Sequence, residues 1–146
     1  MTRDLEFGRK AARSGKAKSL VVFLHGYGAD GADLLGLAEP LGPHLPDTVF
    51  VAPNAPERSL GNPFGYQWFP IPRFDGSPEE VARASFEAAV ADLDAFLDAR
   101  LAEEGLSASA MALVGFSQGT MMSLHVAPRR KVQMAGVVGF SGRLLQ

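Results

Sequence analysis

The chain has no cysteine, which excludes disulfides and a thiolate nucleophile. No apolar run approaches the ~18 residues of a membrane span. Met1-Thr2-Arg3-Asp4 leads into no long apolar segment either, so no secretory signal is expected and the expected location is cytoplasmic. An excess of one charge is also missing. The formal net charge of −2 gives no reason to expect nucleic acid or an anionic membrane as partner. The one basic cluster, Arg129-Arg130-Lys131, follows an expected helix and is read as complementing its dipole rather than as a phosphate site. Repeats and low complexity are absent. At 47% hydrophobic and 21% charged residues, the 146 positions read as one globular domain.

One stretch carries chemistry. Gly115-Phe116-Ser117-Gln118-Gly119 follows the apolar run Met111–Val114, a buried strand, and precedes Thr120–Ala127, a helix that Pro128 ends. Strand, G-x-S-x-G, helix is the context of a nucleophile elbow. Gly115 and Gly119 are needed there because a β-carbon at either place would collide with the neighbouring strand or helix. Ser117 at the helix start also lies where backbone N–H groups point at a developing oxyanion. A cap serine in a coincidental glycine frame is the plain alternative, and Ser141 in Gly139-Phe140-Ser141-Gly142 is read as a strand-end residue.

A second motif agrees. The strand run Ser19–Leu24 opens into His25-Gly26-Tyr27-Gly28-Ala29-Asp30-Gly31, and an HG-rich loop after an early strand is the companion of a nucleophile elbow that places another oxyanion N–H. Gly26-x-Gly28-x-x-Gly31 also fits a dinucleotide loop. That reading wants an acid at the end of the next strand, where Pro53-Asn54 stands instead, and Asp30 and Asp33 would face the pyrophosphate. His25 is read as a hydrogen-bonding residue that shapes the loop, and His44, between prolines, as surface.

Leu24-His25-Gly26-Tyr27-Gly28-Ala29-Asp30, Val51-Ala52-Pro53-Asn54-Ala55-Pro56, Gln67-Trp68-Phe69 and Gly115–Gly119 together resemble the phospholipase/carboxylesterase family of α/β-hydrolases, which includes the acyl-protein thioesterases. The resemblance implies hydrolysis of small to medium acyl esters or thioesters. Ser117 would be the nucleophile, with the backbone N–H groups of Tyr27 and Gln118 in the oxyanion hole and no metal or cofactor. By the same resemblance Trp68 and Phe69 border the acyl pocket; by composition alone they could equally be core. In the family the acid and then the histidine follow the serine along the chain. Here no Asp or Glu follows Ser117, and the only later histidine is His125. Eight residues along one helix put it roughly 12 Å from the serine, too far for a base that must come within about 3 Å. The chain is therefore expected to be the N-terminal portion of a serine hydrolase, one partial domain over residues 1–146. The alternative is a non-catalytic α/β remnant or a small-ligand binding module.

The expected fold class is α/β: a mostly parallel sheet flanked by helices, with strands ordered 48–52, 19–24, 111–114, 136–140 by the resemblance. Leu5-Glu6-Phe7 is expected at an edge and a helix near residues 32–41. A long, functional excursion is expected over Asn54–Ser77. The helix from Pro78 to about Glu104 is expected to carry a capping box of Ser77 and Glu80. Its apolar stripe would run Phe86, Val90, Leu93, Leu97, Leu101. Met121 and Met122 are expected in the core. The apolar strand at 136–140 is expected to leave an open edge for self-association.

Overall fold

The computed structural model describes residues 1–145. Its first strand, β1 (Phe7–Lys10), begins later than expected. Leu5 is buried in the core, and Glu6 offers only its carbonyl, to the Asn54 N–H, so ladder pairing begins at Phe7. β2 (Ser19–Leu24) is the apolar run that precedes the HG loop. The helix expected near 32–41 is two short pieces, α1 (Gly31–Leu35) and α2 (Ala38–Leu41). Pro40 has no N–H to give the Gly36 carbonyl, which takes the Glu39 N–H at 3.3 Å instead, and the helix breaks at the glycine. β3 (Thr48–Pro53) is buried at every residue, as expected of a strand inside a parallel sheet.

The excursion that follows holds a two-rung ribbon, β4 (Glu57–Arg58) and β5 (Tyr66–Gln67), and one turn of helix, α3 (Pro72–Asp75). It ends at α4 (Glu79–Glu104), which starts without the expected capping box. Asp75 Oδ1 takes the Ser77 N–H at 2.9 Å, and this turn sets the helix one residue later. Pro78 becomes the cap in extended conformation, with no side-chain cap bond. α4 buries Ala89, Leu93, Phe96, Leu97 and Leu101, with Phe86 and Val90 half-buried at the margin. Gly105, left-handed at φ 68°, ends it, with the Leu106 N–H returning to the Leu101 carbonyl.

β6 (Met111–Phe116), α5 (Gln118–Val126) and β7 (Gly136–Phe140) complete the sheet. Its order is β1-β3-β2-β6-β7, with only β1 antiparallel, so the four expected strands and their order hold. α4 and α5 cover one face over the larger core, which includes Met122 and Val126, whereas Met121 is only half-buried. α1 and α2 cover the other over stacked Phe23 and Phe50. At the end of α5 Arg129 donates to the His125 carbonyl at 2.9 Å, the dipole role expected of the basic cluster, while Arg130 pairs with Asp94 and Asp98 of α4. No helix among the described residues is long and apolar enough to cross a membrane.

Candidate active site

The turn between β6 and α5 is made by Ser117 alone, at φ 56° and ψ −112°. A side chain is strained at such a φ, and the strain persists because the flanking elements permit no other path. A β-carbon on Gly115 would lie 2.6 Å from the Gly119 carbonyl oxygen and the Thr120 nitrogen. One on Gly119 would overlap the Leu24 carbonyl and lie 2.7 Å from that of His25. The glycine frame is thus a packing requirement in both places. From behind, the Ser117 N–H is held by the Phe140 carbonyl at 2.8 Å, at the end of β7. Ser141 there is left-handed at φ 58°, a strand-end residue as expected.

The HG loop leaves β2 and lies directly against the elbow. A β-carbon on Gly26 would meet both the Ser117 β-carbon and the Phe116 carbonyl at 3.2 Å. Gly28, at φ 80°, turns the loop back, and its N–H donates to the Tyr66 carbonyl at 2.8 Å. The backbone N–H groups of Tyr27 and Gln118 have no acceptor among the described residues. Both donors come from segments packed on the serine.

His25 is fully buried and both its ring nitrogens are used. Nδ1 bonds the Gly26 carbonyl at 2.7 Å, and Nε2 accepts the Ala55 N–H at 2.9 Å. That pattern fits a neutral ring with its proton on Nδ1, and burial drives its pKa below the ordinary value, against the pull of Gly26 and of Asp30 and Asp33. With Gly26 and Ala55 as partners, His25 has no ring nitrogen free for Ser117. His125 stacks edge-on against Phe86, and His44 is exposed.

With the elbow and the loop in contact, comparison with known proteins is decisive. Residues 10–146 match the phospholipase/carboxylesterase family. The chain belongs to that family. It is similar to esterase YpfH of Escherichia coli K12, at 30% identity over 127 residues, covering 87% of this chain and 53% of that protein. Acyl-protein thioesterase 1 of Neurospora crassa is 29% identical over 133 residues, covering 86% and 54%. Among solved structures, esterase PE8 superposes with a TM-score of 0.89 at 46% identity, covering 97% of this chain and 66% of that one. The fold is that of the α/β-hydrolases. The chain spans about half the length of the curated relatives it matches.

In this family member the excursion is stitched to the HG loop. Asn62 Nδ2 donates to the Gly28 carbonyl at 2.9 Å, and the Tyr66 N–H to that of Ala29 at 2.8 Å. The Tyr27 hydroxyl donates to Asp75 Oδ2 at 3.0 Å. Burial opposes ionisation of Asp75, but hydrogen bonds from Ser77, Ile71 and Tyr27 outweigh it and hold the carboxyl below its ordinary range. Trp68 corrects one expectation: with no exposed surface it fills the core and walls no pocket, because its indole N–H must reach the His25 carbonyl at 2.9 Å. Phe69 is half-buried, edge-on to Phe86. Sequence reasoning missed the Gln118 side chain, which bonds the Trp68 N–H and the Phe69 carbonyl, each at 2.8 Å. It also missed the Asp75 bond to Tyr27; these pairings span 48 to 50 residues, too far for any periodicity to show. The dinucleotide alternative fails at Gly31, whose N–H is spent on Asn54 Oδ1 at 2.8 Å, while Asp30 caps α1.

The neutral, buried His25 makes stability depend on pH. Its folded pKa lies below the unfolded value of about 6.5, so below that pH the unfolded chain takes up a proton that the folded chain refuses. His125, depressed by burial and by Arg129, acts in the same direction. Stability is expected to be flat between about pH 7 and 9 and to fall from about 6.5 downward, by up to ~1.4 kcal/mol per pH unit for His25 and by less for the partly exposed His125. Urea midpoints at pH 7.5 and 5 measure it. Equal midpoints would mean that His25 ionises freely in the fold.

Proposed function

We propose that this chain carries the nucleophile and the oxyanion hole of a serine hydrolase of carboxylic esters or thioesters. The observation that carries the reading is Ser117 at φ 56°, with Gly26 of the HG loop packed against it. Ser117 Oγ attacks the substrate carbonyl carbon, and the C=O electron pair moves onto the oxygen. The N–H groups of Tyr27 and Gln118 take up that negative charge. Collapse expels the alcohol or thiol and leaves the acyl group on Oγ, for water to remove. Half-buried Phe69 is the side chain proposed beside the acyl chain.

The hydroxyl proton needs an acceptor, and none of the described histidines supplies it. His25 is spent on Gly26 and Ala55, His125 lies roughly 12 Å along α5, and His44 is on the surface. A serine hydrolase without its base keeps only the small part of its rate due to the oxyanion hole and binding. The 146-residue chain is expected to hydrolyse a p-nitrophenyl short-chain ester barely above background, with the excess lost in Ser117→Ala. Robust turnover would show that a base has been overlooked, and His25→Ala would then test the nearest imidazole. An excess that Ser117→Ala leaves untouched would favour the alternative, a non-catalytic binding module.

A further inference from the structure

Gln118 belongs to two parts of the fold at once. Its backbone N–H is one proposed oxyanion donor, while its side chain turns away and pairs with the excursion. Oε1 accepts the Trp68 N–H and Nε2 donates to the Phe69 carbonyl, both at 2.8 Å. The carboxamide thus satisfies residues 68 and 69 as a neighbouring strand would. Gln118 is 1% exposed and Trp68 0%, so water cannot stand in for either bond.

The chain of bonds continues to the other donor. The Trp68 indole N–H bonds the His25 carbonyl at 2.9 Å, and His25 Nδ1 bonds the Gly26 carbonyl at 2.7 Å. That carbonyl and the Tyr27 N–H belong to one trans peptide and point in opposite directions, so fixing the first aims the second. No backbone hydrogen bond among the described residues ties residues 26–27 to α5 directly. The loop leaves β2 and the helix leaves β6, and the last rung that links them is Leu24 with Gly115. The Gly26 carbonyl also takes the Ala29 N–H at 3.2 Å, but that bond lies within the loop, whereas the side-chain relay runs from the loop to α5.

We infer that the Gln118 carboxamide and the Trp68 indole are positioning groups, which fix the separation and orientation of the Tyr27 and Gln118 N–H donors. This rests on the reading of Ser117 as nucleophile. Oxyanion donors work at about 2.7–3.1 Å from the charge they stabilise, and a shift of ~1 Å in such a site costs on the order of 10²-fold. A relay with two interior links is therefore worth a measurable factor in binding any tetrahedral, negatively charged adduct.

Phenylboronic acid reports on this without a general base having to turn over. Ser117 Oγ bonds to boron, its proton leaves to the buffer, and the resulting negative boronate presents oxygen to the two donors. Its affinity, read by ¹¹B NMR, is compared for the wild-type chain, Gln118→Met, Trp68→Phe, the double variant and Ser117→Ala, alongside the amide spectrum of each ligand-free chain. Each single variant is expected to bind at least tenfold more weakly. The double variant should be no worse than the weaker single, because both cut the same relay, and the Tyr27 amide resonance should move in Gln118→Met. Losses that multiply, a folded Gln118→Met that binds like wild type, or an unmoved Tyr27 resonance would overturn the inference and leave the nucleophile in place. A wild-type chain with no Ser117-dependent adduct would instead sink the nucleophile reading, and this inference with it. Should Gln118→Met not fold, Trp68→Phe tests the same relay through its own affinity and the Tyr27 resonance.

Discussion

Gly119→Ala is expected to lower the melting temperature by about 10–15 °C or to prevent folding outright. The added β-carbon would overlap the Leu24 carbonyl and sit 2.5 Å from its carbon. Those are backbone atoms of β2 and cannot swing aside as a side chain end would. Relief requires α5 to move off β2, which opens the core around Met122 and Val126 and separates the elbow from the HG loop. Overpacking that flexible side chains can absorb costs about 1–3 kcal/mol. Here the backbone must yield, so ~4 kcal/mol or more is expected, against a typical total of ~5–15 kcal/mol. Gly136→Ala is the matched control, since nothing lies within 4 Å of its added β-carbon. Its melting temperature should stay within a degree or two. Thermal unfolding of the pair checks both, and an alanine at 119 melting like wild type would mean that α5 is held far more loosely than its contacts imply.

The other large effect is expected at the outer edge of β7. This strand pairs with β6 on one side and, among the described residues, with nothing on the other. Its sequence, Gly136-Val137-Val138-Gly139-Phe140, carries no charge, proline or bulge, and Val138 and Phe140 stay 52% and 54% exposed. The opposite edge differs: β1 carries Arg9 and Lys10, and Arg9 is held by Glu104 of α4. One edge is thus guarded and the other is a template for a further strand. We propose that the chain self-associates there. Elution volume in size-exclusion chromatography should shift with concentration over a hundredfold range, and the melting temperature should rise with it. Val138→Lys places a charge on the exposed strand and should return the chain to a concentration-independent monomer. A wild-type chain already monomeric at every concentration would contradict the proposal.

The strands and the elbow were legible in the sequence because their signals are local. Unbroken apolar runs mark β2, β3, β6 and β7, and G-x-S-x-G between a strand and a helix fixes Ser117. Where a competing contact decided the outcome, local rules failed. Ser77 and Glu80 have the spacing of a capping box, yet Asp75 takes the Ser77 N–H first. Residues 32–41 alternate like one helix, yet Pro40 cannot satisfy Gly36. Trp68 reads as much like pocket as core because its decisive partners, His25 and Gln118, are 43 and 50 residues away. The site's backbone was readable, but the side chains that hold it rigid were not.

The pinning of the excursion has a consequence for affinity. Residues 54–77 have little regular structure, a composition that would ordinarily leave such a segment sampling many conformations. Yet it is anchored at Gly28 by Asn62, at Leu60 by Gln67, at Trp68 and Phe69 by Gln118, and at Tyr27 by Asp75. The loss of conformational entropy on ordering these residues, roughly 1–2 kcal/mol for each backbone unit, is met when the chain folds. On the proposed reading of Ser117, a substrate that reaches the HG loop would meet an excursion already ordered, so little of its contact energy would go into arranging that segment.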